Sequence, residues 1–316
     1  MSLLLLDSAS LYYRAFYALP ESLTAPDGRP INAVRGFLDT VATLVVARGI
    51  GRAVACWDED WRPAWRVQLV PGYKAHRVAM DRVAGTDTGI DRDTPDPEDV
   101  PDTLAPQVDM LRQLLPLVGV PIVGLPSAEA DDVIADLSCQ APRVDIASGD
   151  RDLVQLVNDH VTMLFTGGTS ASRGGRPWVE WDPEAVEERF GIPPTRYADL
   201  AILRGDPSDG LPGAPGIGDK TALALIRAFG DLSGVLHAAQ DPATSTPMTP
   251  AVRRRVLSAS TELERADRVV RLVPHPDRVA LPAPVVVDPD HALTIANQWG
   301  VQASTQRLLS ALSRSG

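Results

Sequence analysis

Little in these 316 residues points to a secreted or membrane-spanning protein. There are only two cysteines, Cys56 and Cys139, and neither has a CxxC partner. A disulfide framework is thereby excluded, and both fit small apolar residues in a reducing cytoplasm. Long apolar runs are missing as well: Leu3–Leu6 and Val41–Ala47 fall far short of a bilayer span. Leu3–Leu6 has no basic stretch before it and no small-residue cleavage site after it, which argues against a signal peptide. The five histidines are scattered singly, which disfavours a His-rich zinc site. No internal repeat is visible. Positive charge is in short supply, with 30 Lys and Arg against 41 Asp and Glu, a net charge of −11.

That deficit would exclude a nucleic-acid partner if it were evenly spread, but it is concentrated. From Asp81 to Asp102 the chain carries eight acids and two arginines, a net of −6. With these residues and the nine acids of the cluster described below set aside, the remainder is net positive. A partner responds to local potential more than to net charge, so composition leaves the partner open.

The hydrophobic pattern predicts an α/β fold with a mostly parallel central sheet and flanking helices. Leu3–Asp7, Ala53–Asp58 and Val144–Ser148 are short apolar runs suited to buried parallel strands, with Pro121–Leu125 extended. Ile31–Arg48 places Val34, Phe37, Leu38, Val41, Leu44 and Val45 on one helical face; Leu104–Leu117 and Ala130–Ala141 are also helical. Beyond Asp182 the pattern turns helical: Pro183–Phe190, Thr195–Arg204, Lys220–Phe229 and Pro250–Glu264. The spacing thus predicts an α/β unit over 1–182 and a helical unit over 183–316. Val78–Pro101, rich in Asp, Thr and Pro, predicts a mobile loop. Asp241–Pro250 and Pro274–Pro289 read as connectors.

Carboxylates recur at the strand ends: Asp7, Asp58, and Asp150 with Asp152. The carboxyl ends of parallel strands share the edge where open α/β sheets place ligands. Glu129, Asp131 and Asp132 open a helix, and Asp206 and Asp209 lie in a Gly/Pro-rich loop. Each acid alone has a plain explanation as a cap, a first-turn residue or a turn former. Gathered together they repel one another, and divalent cations resolve that conflict. Mg²⁺ and Mn²⁺ take hard oxygen ligands, and a pair about 4 Å apart can activate water in phosphodiester hydrolysis.

These residues resemble the 5′-nuclease domain of bacterial DNA polymerase I and flap endonucleases more widely. The resemblance is carried by Leu6-Asp7-Ser8, Trp57-Asp58, Pro71-Gly72-Tyr73-Lys74-Ala75-His76-Arg77, Glu129-Ala130-Asp131-Asp132, Ser148-Gly149-Asp150-Arg151-Asp152-Leu153, Gly205-Asp206-Pro207-Ser208-Asp209-Gly210-Leu211-Pro212-Gly213 and Gly216-Ile217-Gly218-Asp219-Lys220-Thr221-Ala222. They stand in the family's order over about 220 residues. It implies a PIN-like 5′-nuclease fold, a clamp over about 74–104, a helix–three-turn–helix over about 195–230 and a C-terminal segment. The nine acids Asp7, Asp58, Glu129, Asp131, Asp132, Asp150, Asp152, Asp206 and Asp209 become ligands of two or more divalent cations, Mg²⁺ or Mn²⁺. Arg14 and Lys74 become catalytic cations at the scissile phosphate. Two features depart from the polymerase-linked domains. Nothing resembling a polymerase follows, so a stand-alone nuclease is expected, and the stretch after Arg77 is longer and more acidic. That stretch, net −6, is expected to be a disordered extension of the clamp that slows DNA association at low salt.

Gly213–Thr221 nearly reads as a nucleotide P-loop, but Asp219 separates Gly218 from Lys220 and the preceding segment is helical. A helix–three-turn–helix fits better, its glycines letting the backbone approach a duplex phosphate. Arg77, Gly213, Gly216, Gly218, Lys220 and Thr221 are the expected DNA contacts. The resemblance also implies K⁺ in this loop, with Ser208, Gly213 and Ile217 the nearest candidates. Arg253–Arg255 adds duplex contacts or a solvated helix face. Trp57, Trp61 and Trp65 stack on bases or belong to the core.

The expected activity is hydrolysis of DNA at 5′ flaps, nicks and 5′ ends, as exonuclease and flap endonuclease, by a cytoplasmic monomer without membrane contact. A PIN-type ribonuclease would lack the glycine hairpin. A DNA-binding protein without catalysis would be hindered by the filled acid set. A phosphatase built on Asp150 and Asp152 would need neither Glu129–Asp132 nor the hairpin.

Overall fold

The run Leu3–Leu6 has no polar alternation, so it is satisfied only where both faces of a sheet are covered. In the computed structural model, which describes residues 2–78, 98–168 and 177–315, it forms the central strand β1 (Ser2–Asp7), buried from Leu3 onward. Residues 79–97, most of the acidic stretch Asp81–Asp102 on which the expected clamp extension rests, lie outside those residues.

The chain continues through α1 (Ser8–Ala18), α2 (Asn32–Arg48), β2 (Ala53–Cys56), α3 (Ala64–Leu69), α4 (Ala105–Leu117), β3 (Ile122–Val123), α5 (Ala130–Ser138), β4 (Arg143–Ser148), β5 (Val161–Phe165) and β6 (Val179–Trp181). The strand order is β3-β2-β1-β4-β5-β6, parallel except for β6, which pairs antiparallel with β5. The order reverses beside β1, where loops leaving neighbouring strands diverge and leave a crevice at their carboxyl ends.

Side-chain alternation along β1 divides the core. Leu4 and Leu6 join Phe37, Val41 and Leu111 on one face, while Leu3 and Leu5 join Ile134, Ile146 and Met163 on the other. The remaining helices are α6 (Pro183–Phe190), α7 (Tyr197–Arg204), α8 (Asp219–Phe229), α9 (Leu232–Gln240), α10 (Pro250–Ser258), α11 (Ser260–Val270), α12 (Pro289–Gln298) and α13 (Gln302–Ser315). α7 to α11 enclose a third core around Leu203, Leu225, Val235 and Leu263.

Two expectations need correction. The segment 183–316 is not one helical unit: α12 and α13 return to the α/β layer, where Ala292, Ala296, Leu308 and Ala311 pack with the α2 and α4 side of the sheet. α12 and α13 pack on each other, and α2, near the other end of the chain, supplies the main partner of α13. The stretch Pro250–Glu264 is two helices, broken at Ala259 (φ −106°, ψ 4°). No glycine or proline marks the break. Among the described residues no single helix is long and apolar enough to cross a membrane.

Candidate active site

The sheet edge sets the site. Asp7 ends β1 and caps α1, its carboxylate accepting from the Ser10 amide at 3.1 Å and from the Ser148 hydroxyl, at the end of β4, at 2.5 Å. Asp58 lies just past β2 and accepts from the Ala130 amide at 2.7 Å, which ties it to the start of α5. Glu129 is the N-cap of α5 and forms a capping box with Asp132. Asp150 follows β4 and accepts from the Asp152 amide at 2.9 Å.

One cavity of about 250 Å³ is lined by Asp7, Asp58, Glu129, Asp131 and Asp150, together with Lys74 and Arg77. An adjoining recess is lined by Glu129, Asp131, Asp152 and Asp209 beside Arg66 and Tyr73. Seven of the nine expected acids are thus brought together. Asp132 and Asp206 line neither space. Both Asp132 oxygens meet Arg66, at 2.8 and 3.0 Å. Asp206 accepts from the Ser208 amide at 2.9 Å and from its hydroxyl, as a turn former does.

Burial and crowding push five of these acids up. Asp7 stands at about 7, through desolvation first and then the charges of Asp58 and Asp150, against the pull of the Ser148 hydroxyl. Asp209 stands at about 6, through desolvation and then Asp150 and Glu129, with Lys74 opposing. Asp58 is raised by desolvation and Glu129, and Asp131 and Asp152 well above the carboxylate range by desolvation and Asp150. Such a set, oxygen-only and short of counter-charge, suits hard, hydrated divalent cations. Among the described residues no three acidic, cysteine or histidine side chains form a group that could hold an ion as they stand.

Lys74 sits in a left-handed conformation (φ 48°) and places Nζ 2.5 Å from a Glu129 oxygen. Burial alone would lower its pKa, but Glu129, and then Tyr73, Asp209 and Asp58, hold it well above the ordinary lysine value. It remains a cation in the cavity wall. Arg14 does not line the cavity: its guanidinium donates to the Gly168 carbonyl at 3.0 Å, and burial lowers its pKa. Arg77 donates to the Ser208 carbonyl at 3.0 Å and stands 3.6 Å from Asp209.

The Lys74 loop and the Asp209 loop are locked together. The Lys74 amide donates to the Asp209 carbonyl at 3.0 Å. Gly210 (φ +70°) lies so close that a Cβ there would fall 2.1 Å from the Gly72 carbonyl oxygen. Gly210→Ala is expected to destabilise the protein by about 2–4 kcal/mol, from strain and collision together. Urea unfolding checks it, and a loss under about 0.5 kcal/mol, the size of a plain surface substitution, would mean the two loops part freely.

In the glycine hairpin, Gly213 and Ile217 are buried, whereas Gly216, Gly218 and Lys220 are exposed at the N-terminus of α8, with Thr221 beside them half-buried. Gly213 (φ +62°) leaves no room for a Cβ, which would meet the Gly205 amide nitrogen at 2.3 Å. Arg255 donates to the Gly216 carbonyl at 3.1 Å, and Arg253 is spent on the carbonyls of Ala238, Ala239, Asp241 and Thr244. Trp57 is core, Trp61 lines the cavity, and Trp65 donates to the Ser127 carbonyl at 3.2 Å.

Sequence reasoning passes over Glu98, Tyr13, Arg66 and Tyr73. Glu98 counts there only as part of a repelling acidic stretch, yet it lines the cavity beside Tyr13. Its backbone bridges Val78, next to Arg77 of the cavity lining. Tyr73 lies inside the quoted 71–77 motif, next to the lysine taken from it. Arg66 carries no local signal, because its partner is 66 residues away.

The family described as 5′-3′ exonuclease, N-terminal resolvase-like domain, matches residues 2–191, and its companion, 5′-3′ exonuclease, C-terminal SAM fold, matches residues 192–283. A 5′-3′ exonuclease of Streptomyces coelicolor is 47% identical, over 98% of this chain and 100% of that protein. The DNA polymerase I of Mycobacterium bovis is 34% identical over 100% of this chain and 32% of its own length. In fold, the chain resembles the bacteriophage T5 flap endonuclease solved as a pseudo-enzyme–product complex with DNA and metal ions: TM-score 0.65, 17% identity, 99% of this chain and 100% of that one. The resolvase-like match covers the acid-bearing sheet and the SAM-fold match covers the glycine hairpin, so both halves of the site fall within one family, and the chain belongs to the 5′-3′ exonucleases.

Proposed function

We propose that this nuclease is structure-selective, hydrolysing DNA phosphodiesters at 5′ flaps, nicks and 5′ ends with divalent cations. The observation that carries the reading is the convergence of Asp7, Asp58, Glu129, Asp131 and Asp150 with a charged Lys74 in one cavity. Asp7, Asp58, Glu129, Asp131, Asp150, Asp152 and Asp209 would hold two or more Mg²⁺ or Mn²⁺ ions, largely through retained water. Bound there, such ions supply a more acidic attacking water and electrostatic stabilisation of the phosphate. Lys74 adds a fixed positive charge where negative charge develops in the transition state, already oriented by Glu129. Arg77, anchored to Ser208, supports the same phosphate region, and Arg14, with one Nη on the Gly168 carbonyl, is a second cation for it from outside the cavity lining.

The exposed α8 N-terminus offers backbone amides, with Lys220 and Thr221, to a duplex phosphate. Such contacts position a duplex without reading its sequence, as selectivity for structure requires. The T5 neighbour's complex with DNA and metal ions supports this reading. K⁺ held by carbonyls near Gly213 and Ile217 belongs to the same proposal. Ser208 fits it less well, because Arg77 takes its carbonyl and Asp206 its hydroxyl.

End-labelled nicked, flapped and single-stranded DNAs, incubated with Mg²⁺ or Mn²⁺ and mapped at nucleotide resolution, test the proposal. Cleavage near the flap junction that stops on chelation is the expected result. No cleavage with either cation, or a preference for RNA, would overturn it. Gly216→Val should weaken flap and nick binding about tenfold, or ~1.4 kcal/mol, by blocking backbone approach. Unchanged affinity would reduce the hairpin to a turn.

A further inference from the structure

Glu129 and Asp132 look equivalent in the sequence, but the fold treats them differently. Glu129 lines the cavity: Lys74 Nζ stands 2.5 Å from one oxygen, and the Tyr73 hydroxyl donates to the carboxylate from 2.9 Å. Asp132 instead faces a guanidinium, with Arg66 Nη1 and Nη2 at 2.8 and 3.0 Å from its two oxygens. This is the two-pronged match of a planar fork to a carboxylate, which lysine does not reproduce.

Arg66 is only 2% exposed, so water does not compete for the pair. Its Nε donates to the Val269 carbonyl, near the end of α11, at 3.2 Å, and its Cζ lies 4.6 Å above the Trp65 ring. Burial works against the charge, but Glu129, Tyr73 and Asp132 outweigh it. The strut continues into the site. Asp132 accepts from the Glu129 amide at 3.0 Å, Glu129 caps in return, and Arg66 Nη1 stands 3.5 Å from a Glu129 oxygen.

We infer that Arg66 is a positioning residue: by taking Asp132 as its buried counter-ion, it withdraws that acid from the cation-binding set. Through the Asp132–Glu129 capping box, it also fixes where Glu129 meets the cavity. The inference rests on the cation-dependent nuclease reading of that cavity. A carboxylate that ligates a cation must turn its lone pairs toward it, and both Asp132 oxygens are held by Arg66, one of them also by the Glu129 amide, facing away from the cavity it does not line.

The experiment measures Mn²⁺ uptake by DNA-free protein and single-turnover cleavage of saturating flapped DNA. It compares wild type, Asp132→Asn, Arg66→Met, the double variant and Arg66→Lys, with Asp150→Asn as the ligand-loss control. Asp132→Asn should keep the wild-type number of bound Mn²⁺ ions and a half-saturation within about threefold, while Asp150→Asn weakens uptake by about tenfold or more. Arg66→Met should slow cleavage by about 10- to 100-fold, the double variant no further, and Arg66→Lys should be partly restored. Mn²⁺ uptake lost in Asp132→Asn as severely as in Asp150→Asn would make Asp132 a ligand and overturn the inference. So would wild-type cleavage by Arg66→Met, or effects that multiply in the double variant. Should Arg66→Met not fold, uptake by Asp132→Asn and the rate of Arg66→Lys decide. A wild-type protein that takes up no Mn²⁺ defeats the nuclease reading and the inference together.

Discussion

Asp150→Asn is expected to leave a folded, DNA-binding protein that cleaves on the order of a thousandfold more slowly, the scale on which loss of one electrostatic group is felt in a dry active site. Asp150 stands at the end of β4, on the exposed side of the cavity, and its structural work is a single bond from the Asp152 amide at 2.9 Å. An asparagine oxygen can accept the same bond, so the loop should hold. What goes is the charge, which presses on Asp7, Asp131, Asp152 and Asp209 at once. Its loss loosens cation binding and relieves repulsion, so without metal the variant should be at least as stable as wild type. Single-turnover rates at saturating Mg²⁺, beside DNA affinity in chelator, separate the two effects. Wild-type cleavage by Asp150→Asn would remove the cluster from the chemistry.

The second large effect concerns pH and requires no DNA. Asp7, at about 7, and Asp209, at about 6, lie above the ordinary aspartate value of 3.8. Between pH 4 and pH 7 the folded protein therefore binds more protons than the unfolded chain, so its stability falls as pH rises. The contribution of these groups is fully present below about pH 4 and lost through the folded pKa values. Each tenfold gain in proton affinity on folding is worth ~1.4 kcal/mol, so the two groups together contribute several kcal/mol. Metal-free protein should accordingly melt lower at pH 8 than at pH 5, and Mg²⁺ should recover most of the difference at pH 8. Asp7→Asn should flatten the profile. Scanning calorimetry in chelator at both pH values checks this, and an equal pH dependence in wild type and Asp7→Asn would refute the burial of charge at Asp7.

Each effect traces to a strand end. β1 ends in Asp7, β2 leads to Asp58 and β4 to Asp150, and parallel pairing of β1 with β2 and β4 makes those ends neighbours. That much was legible because period-2 burial and continuous apolar runs are local properties. Leu3–Leu6 needs cover on both faces wherever it lies, and Asp7 follows it by covalent connection alone. The motifs of the cluster and the glycine hairpin were legible for the same reason, their residues being close together in the chain.

What the chain alone did not decide is which acids are used and how. Glu129 and Asp132 have equal standing in a first helical turn, and only Arg66, arriving from α3, separates them. Arg14 reads as a catalytic cation, and the fold directs one of its Nη atoms to the Gly168 carbonyl, outside the cavity lining. Glu98 reads as one repelling charge among eight, until the bridge to Val78 brings it to the cavity wall. α12 and α13 follow the helical unit in sequence, but α13 packs against α2 and α12 against α4, because that is where an unsatisfied apolar face remains. Local pattern and motif order thus determined β1 to β4, the hairpin and the family, while β5 and β6 carried no signal that was read. The tertiary structure decided counter-ions, exposure and burial, because a charge takes its role from whatever lies within a few ångströms, and most of those neighbours are distant in the sequence.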